Sequence, residues 1–123
     1  MWKRMLSVIA LVAFIITAFS VTPAFGANLF ERNLRVGDRG SDVKALQQLL
    51  NRDIQTRIAL SGSGSAGLET EYFGALTFQA VKRFQEKYAS EVLTPLGLAQ
   101  GTGFVGTATR AKLNVASSPV VAI

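Results

Sequence analysis

The sequence contains no cysteine and no histidine. These two absences exclude catalytic thiols, disulfides, Ser–His pairs and zinc sites built from His or Cys ligands. The chain also lacks a dense run of Lys and Arg and a stripe of interleaved aromatic residues, so it has no sequence signal for nucleic-acid binding. At 123 residues it has room for one domain and little more.

A long apolar run occurs at the N-terminus. Residues 2–4 carry two positive charges, residues 5–21 carry none, and small residues follow. This order is typical of a secretory signal peptide. Ala24 and Gly26 fit the small-residue positions of a cleavage site, so a signal peptide is predicted over residues 1–26. Because the apolar run is close to the length of about 20 residues that a membrane span needs, an uncleaved anchor is the alternative.

Both alternatives predict export of the remaining chain, to the cell wall, the periplasm or the medium. After Lys3 and Arg4 are set aside, eleven Lys or Arg and eight Asp or Glu remain, a scattered net charge of +3. Nucleic acid is therefore not an expected partner, and membrane contact is expected only if the signal segment stays uncleaved. No cofactor and no metal ion are expected.

The first exported segment with helical periodicity is predicted as a helix over residues 42–52. Ser41 is its expected N-cap, and Gly37 and Gly40 are expected to form a tight turn before it. Residues 61–67 are almost entirely Gly and Ser, so they are predicted to be an unpacked surface loop.

Two further helices are predicted. One begins after Gly74 and ends before Pro95, as early as Tyr88. A short one runs from Thr107 to about Leu113. Three helices joined by long loops make an all-α fold, a small three-helix bundle.

Two segments of the chain have similar sequences, YFGALTFQAV at 72–81 and FVGTATRAKL at 104–113. In each copy a Gly occupies the N-cap position and a Thr follows three residues later. Gly lets the chain turn sharply into a helix, and the Thr hydroxyl can reach unpaired backbone groups of the first turn. The repeated phrase therefore predicts an internal pseudo-repeat of helix starts. Its Gly and Thr positions are Gly74, Thr77, Gly106 and Thr109.

A second repeated spacing involves two glutamines. Gln47 follows Val43 by four residues, and Gln85 follows Val81 by four. This spacing is only about 40° around a helix, so both amides lie at the edge of an apolar face. A half-buried amide needs hydrogen-bond partners, and we expect each Gln to hold a neighbouring loop rather than a ligand.

These residues resemble the bacterial peptidoglycan-binding domain family. Its opening motif, L-x-x-G-x-x-G-x-x-V-x-x-L-Q-x-x-L, is similar to the set Leu34, Gly37, Gly40, Val43, Leu46, Gln47 and Leu50. Its central motif, F-G-x-x-T-x-x-A-V-x-x-F-Q, is similar to Phe73, Gly74, Thr77, Ala80, Val81, Phe84 and Gln85. Its closing motif, V-G-x-x-T-x-x-x-L, is similar to Val105, Gly106, Thr109 and Leu113.

The resemblance covers residues 34–114, between a predicted linker at 27–33 and a predicted flexible tail at 115–123. It implies an exported, non-catalytic three-helix module that binds peptidoglycan and attaches to the bacterial cell wall, often beside a separate wall hydrolase. The stretch before Tyr72 and residues 86–103 are longer than the family pattern, so the loops that meet a ligand differ here.

Two other functions remain open from the residues. A hydrolase can work with two carboxylates, and Glu69 and Glu71 are the closest pair outside a predicted helix; in a Gly-rich loop such a pair is usually solvated surface, so no catalytic residue is predicted. The other alternative is an interaction protein that binds another envelope protein. The residues do not distinguish glycan from stem peptide as the part of the wall that is bound.

A binding surface is nevertheless predicted around the second helix. An aromatic face suits a sugar ring and a cation suits a stem-peptide carboxylate, and the residues offered for these roles are Tyr72, Phe78, Lys82 and Arg110. The alternative is that Phe78 only packs against Phe73 as a hydrophobic staple at the helix start.

Overall fold

The computed structural model describes residues 28–118. The predicted signal segment at 1–26 and the end of the predicted tail at 119–123 lie outside the described residues. None of the helices within 28–118 is long and apolar enough to cross a membrane.

The all-α prediction is confirmed for the described residues, which form three main helices and two short helical turns. The elements in chain order are α1 (Ser41–Leu50), α2 (Ala75–Lys87), α3 (Ala89–Val92), a 3₁₀ turn (Thr94–Leu96) and α4 (Thr107–Ser117). Within 28–118 the extended chain forms isolated β-bridges, which pair Leu34 with Val105 and Arg39 with Tyr72.

The ends of the first and last helices differ from the sequence prediction. Gly40, with φ 151°, is the N-cap of α1, and Ser41 is already helical. A Gly cap suits this site because the positive φ would strain other residues. Helix α4 continues to Ser117, four residues beyond the predicted end. The extra turn places Asn114 where its side chain bonds the N-terminal segment.

The predicted linker at 27–33 is part of the packed domain from Phe30 onward. Phe30 is only 1% exposed. Its backbone N–H donates to Asn114 Oδ1 at 2.9 Å, and its C=O accepts from Asn114 Nδ2 at 3.2 Å. A side-chain amide that satisfies both backbone groups of one residue lets an extended segment lie buried against α4.

The core draws on every main helix and on the loops between them. Its buried members are Phe30, Leu34, Val43, Leu46, Leu50, Ile58, Phe73, Ala80, Val81, Phe84, Val105 and Leu113. Helical spacing puts Leu76 on the same face of α2 as the core residues Ala80 and Phe84, but its side chain is 53% exposed. It sits in the first turn of α2, where the chain has not yet reached the other helices.

The second helix was predicted to end between Tyr88 and Pro95, and α2 ends at Lys87. Residues 88–98 then form a structured excursion that contains α3 and the 3₁₀ turn. Val92 and Leu93 are buried. Pro95 lies in the first turn of the 3₁₀ segment, and Gly97, with φ 71°, ends it. Proline favours such a start because its φ is already fixed near the helical value. The excursion is fastened to α4 by an ion pair between Glu91 and Lys112 at 2.7 Å.

The Gly/Ser-rich segment at 61–67 is more ordered than its composition predicts. Gly64 and Ser65 are buried rather than exposed. Asn51, the residue after α1, donates from Nδ2 to the C=O of Gly64 at 2.9 Å and accepts the N–H of Ile58 at Oδ1, 2.8 Å away. One amide thus fixes both sides of the loop against the end of α1.

Candidate functional site

The side chain of Gln47 holds the loop that precedes α2. It is 1% exposed, and its Nε2 donates to the C=O of Tyr72 at 2.9 Å and to Thr77 Oγ1 at 3.0 Å. Its Oε1 accepts the backbone N–H of Thr70 at 2.6 Å. The hypothesis that this glutamine fixes a neighbouring loop is confirmed.

Gln85 makes the same set of bonds one helix later. Its Nε2 donates to the C=O of Phe104 at 2.7 Å and to Thr109 Oγ1 at 3.1 Å. Its Oε1 accepts the N–H of Thr102 at 2.7 Å. The bond partners of the two glutamines therefore occupy matching positions, and the internal pseudo-repeat is confirmed in three dimensions.

The threonines of the repeat act differently from the prediction. Instead of capping the helix start, Thr77 and Thr109 accept the glutamine amides, and neither α2 nor α4 has a side-chain cap. The hydroxyls point inward because each Thr is nearly fully buried. The first turns of both helices therefore keep backbone N–H groups without a side-chain partner.

Each copy of the repeat also presents one half-exposed aromatic ring. Tyr72 and Phe104 are each 41% exposed. A Cβ added to Gly74 would lie 3.2 Å from the Tyr72 ring, and one added to Gly106 would lie 3.1 Å from the Phe104 ring. Each glycine therefore lets its aromatic ring lie close over the helix start.

Phe104 and the two threonines that precede the aromatic rings were not predicted from the sequence as site residues. Thr70 and Thr102 both bond a repeat glutamine. The signal that could have found them is an extension of the repeated phrase to T-x-[YF]-x-G-x-x-T, which occurs at 70–77 and at 102–109.

Two surface grooves result from the two copies. Groove A has a volume of about 210 Å³. Its repeat residues are Gln47, Thr70, Tyr72, Gly74, Ala75, Leu76 and Thr77, and its remaining wall is Ile58, Ser63 and Gly64. Groove B has a volume of about 340 Å³. Its repeat residues are Gln85, Thr102, Phe104, Gly106, Thr107, Ala108 and Thr109, and its remaining wall is Val92, Leu93, Leu96 and Leu98.

The repeat residues of the two grooves correspond one to one, but the remaining walls do not. The Gly/Ser-rich loop supplies Ser63 and Gly64 to groove A. The excursion after α2 supplies leucines to groove B. The repeat residues of the two grooves are therefore alike, and the two stretches that are longer than the family pattern make the remaining walls differ, with Ser63 and Gly64 in groove A and leucines in groove B.

The segment at 34–40 lies between the two copies. Gly37 and Gly40, which both have positive φ, donate their N–H groups to the C=O groups of Phe73 and Glu71. At its other end, Leu34 exchanges backbone hydrogen bonds with Val105. Next to groove A, the guanidinium carbon of Arg39 lies 4.4 Å from the centroid of the Tyr72 ring, within the range of a cation–π contact.

The structure brings together only some of the residues of the predicted binding surface. Tyr72 lines groove A. Lys82 Nζ lies 5.9 Å from the centroid of the Phe78 ring, as their spacing on α2 predicts. The Phe78 ring packs against Gly103, and Arg110 donates to the C=O of Glu31 at 3.1 Å. These last contacts belong to the packing of the domain and were not predicted.

The two loop carboxylates have separate surroundings. Glu69 accepts from Asn51 Nδ2 at 2.9 Å and from the N–H of Gly67 at 3.0 Å, and the bond from Asn51 lowers the pKa of Glu69. Glu71 is exposed. The general acid of a glycosidase needs a raised pKa, whereas the pKa of Glu69 is lowered. Within 28–118 no group of three or more acidic residues is placed to hold a metal ion.

Acid is expected to destabilise the domain through Glu69 and Asp42. The bond from Asn51 lowers the pKa of Glu69, and the bond from Arg32 lowers that of Asp42. A carboxylate whose pKa is lowered on folding stabilises the fold above its unfolded pKa, near 4, and loses that contribution as the pH falls through the folded pKa. The free energy of unfolding should stay level from pH 7 to about pH 5 and fall below about pH 4.

Urea denaturation at pH 7, 4 and 2.5 measures this effect. The double variant Glu69→Gln, Asp42→Asn should lose less stability than the wild type between pH 7 and pH 2.5. An equal loss in both proteins would show that these two carboxylates do not carry the acid sensitivity.

Comparison with known families gives one match. Residues 39–92 match the model of the family described as "Putative peptidoglycan binding domain". The resemblance to this family is therefore confirmed over this segment. Searches of curated proteins and of solved structures found no match.

The match to the peptidoglycan-binding domain is shorter than the resemblance in the sequence, which extended over residues 34–114. All residues that line groove A lie inside the matched segment. Of the residues that line groove B, only Gln85 and Val92 do so. The family match therefore includes one complete groove, and the second copy of the repeated phrase lies beyond it.

Proposed function

We propose that the protein is an exported, non-catalytic module that attaches to the cell wall by holding peptidoglycan in groove A. The observation that carries this proposal is that the complete lining of groove A lies inside the segment that matches the peptidoglycan-binding family. The predicted signal peptide supports export. A separate wall hydrolase is a fitting partner, because such modules often accompany one.

The chemistry of groove A suits a sugar. The half-exposed ring of Tyr72 offers a flat apolar surface to the C–H face of a pyranose. Ser63 adds a hydroxyl group to the groove, whereas the Thr70 hydroxyl is bonded to the backbone of Tyr72. Stacking on an aromatic ring with a few polar groups around it is a common way to bind polar ligands with apolar faces.

Groove A is also preorganised. The backbone C=O of Tyr72 is held by Gln47, and the guanidinium of Arg39 lies over one face of its ring. A ring that is already fixed loses little conformational freedom when a ligand stacks on it. Of the four residues first predicted to bind the wall, Tyr72 is therefore the one on which the proposal rests.

Catalysis finds no support in the loop carboxylates. Glu69 is bonded to Asn51 and has a lowered pKa, and Glu71 is its exposed near neighbour in the chain. Two-carboxylate hydrolysis requires a proton donor with a raised pKa and a second carboxylate across the scissile bond. We therefore propose binding without cleavage.

Sedimentation with purified insoluble peptidoglycan tests the proposal. The wild-type protein should pellet with the wall and release neither reducing sugars nor free amino groups. Tyr72→Ala should weaken the apparent affinity about tenfold, because the stacking surface is removed, and Tyr72→Phe should retain it. Val115→Ser, which changes an exposed residue on α4, is the matched control and should pellet normally.

Equal pelleting of the wild type and Tyr72→Ala would show that groove A is not the peptidoglycan-binding site. A wild-type protein that does not pellet even at low salt would exclude wall binding, and it would favour the alternative of an envelope protein as the partner. Release of soluble fragments that is lost in Glu69→Gln would show that the protein is an enzyme.

A further inference from the structure

Groove B shares one lining residue, Phe104, with a second, polar depression. The depression, which we call the arginine recess, has a volume of about 330 Å³ and is lined by Arg32, Asn33, Arg35, Asp38 and Phe104. An apolar groove of about 340 Å³ and a charged recess therefore share one half-exposed aromatic ring.

We propose that groove B and the arginine recess form a second wall-binding site, and that its ligand is a short peptide with methyl side chains and a free carboxylate. In peptidoglycan this chemistry belongs to the stem peptide, which is rich in alanine and carries carboxylates. The proposal rests on the proposed function, and it assigns the peptide part of the same polymer to a different groove.

The apolar half of the site favours methyl groups over sugar hydroxyls. Leu96 is 61% exposed and Leu98 is 40% exposed, and both border groove B beside the buried Leu93. Contact with these leucines removes apolar surface from water when the ligand carries alanine methyls. A sugar in the same place would lose water from its hydroxyls without gaining hydrogen bonds from this wall.

The buried polar groups of groove B do not change this preference. The amide of Gln85 is occupied by Thr102, Phe104 and Thr109. Its two ends are therefore already satisfied by the protein. The Thr102 hydroxyl is bonded to the backbone of Phe104, and the Thr107 hydroxyl accepts from Arg110. Groove B therefore offers a ligand mainly an aromatic face and aliphatic surface.

The charge of the recess favours a carboxylate. Arg32 is committed to Asp42 through bonds of 2.7 and 3.1 Å, and Asp38 accepts the backbone N–H of Arg35. Within the described residues the guanidinium of Arg35 makes no hydrogen bond or ion pair with the protein. It is therefore the cation that can form a bidentate pair with a ligand carboxylate.

Binding of the synthetic stem pentapeptide L-Ala–γ-D-Glu–L-Lys–D-Ala–D-Ala to the protein tests this assignment. Isotope-labelled protein should show chemical-shift changes at Phe104, Leu96 and Leu98, and the peptide should compete with insoluble wall for part of the binding. The variants Leu96→Ser and Arg35→Gln each change an exposed side chain and should each weaken peptide binding about five- to tenfold. A tetramer of N-acetylglucosamine should instead shift resonances around Tyr72.

The controls separate the two sites. Tyr72→Ala should leave peptide affinity unchanged, and Leu60→Ser, at an exposed position outside both grooves, should change neither ligand's affinity. A thermal melt of each variant confirms that it is folded.

Each outcome supports or overturns the assignment. Peptide binding that falls in both groove B variants supports it. A protein that pellets with the wall but does not bind the peptide, or binds it equally well in both variants, overturns it and leaves the proposed function standing. Sugar shifts at Phe104 rather than at Tyr72 also overturn it. A protein that does not pellet at all contradicts the proposed function itself.

Discussion

Replacing Gln47 with Ala is expected to lower the free energy of unfolding by about 3 kcal/mol or more. The variant leaves the N–H of Thr70 and the C=O of Tyr72 without the partners that Gln47 supplies. An unsatisfied polar group in a buried site costs about 1–3 kcal/mol, and the lost side-chain volume adds a further penalty. Chemical denaturation monitored by circular dichroism measures the change.

The neighbouring residue Gln48 gives a matched control. It lies on the same helix but is exposed, so Gln48→Ala should change stability by no more than about 0.5 kcal/mol. The pair separates loss of the buried amide from any change in helix propensity. If the two variants were equally stable, the bonds of Gln47 would not be what holds the loop before α2.

Replacing Gly103 with Ala is expected to cost about 3 kcal/mol through two separate effects. Gly103 has φ 75°, a conformation that costs about 1 kcal/mol for a residue with a Cβ. The added methyl would also overlap the ring of Phe78, and overpacking a well-filled site costs about 1–3 kcal/mol. Thermal and chemical denaturation should both show the loss.

A double-mutant cycle and a second glycine separate the two effects. In a Phe78→Ala background Gly103→Ala should cost only about 1 kcal/mol, because the overlapping ring is gone. Gly67→Ala should also cost about 1 kcal/mol, since Gly67 has φ 85° and open space around it. A full penalty in the Phe78→Ala background would mean that the ring is not the obstacle.

The same variants address the role first predicted for Phe78. If its ring serves to pack over Gly103, Phe78→Ala alone should lower the melting temperature and leave pelleting with the wall intact. Reduced pelleting with an unchanged melt would instead return Phe78 to the binding surface.

The sequence by itself determined where the main helices lie, that a motif is repeated, and that the two glutamines hold neighbouring loops. Helical spacing is a local property, so the apolar faces of α1 and α2 could be read from neighbouring positions. The repeat was visible in the sequence because both copies start a helix in the same way, with a glycine at the N-cap, and this requirement involves only neighbouring residues. The role of Gln47 followed from its angle to Val43 together with the rule that buried amides need partners.

Only the tertiary structure decided which residues line the grooves. Phe104 and Arg35 come together because Leu34 pairs with Val105 across most of the chain, and no local pattern contains that pairing. Phe30 looked like linker because its two hydrogen-bonding partners belong to Asn114, 84 residues away. Local periodicity shows which face of a helix is apolar, but which distant loop covers that face is set by packing and by hydrogen bonds between distant segments. Groove chemistry depends on those loops, and therefore on the tertiary fold.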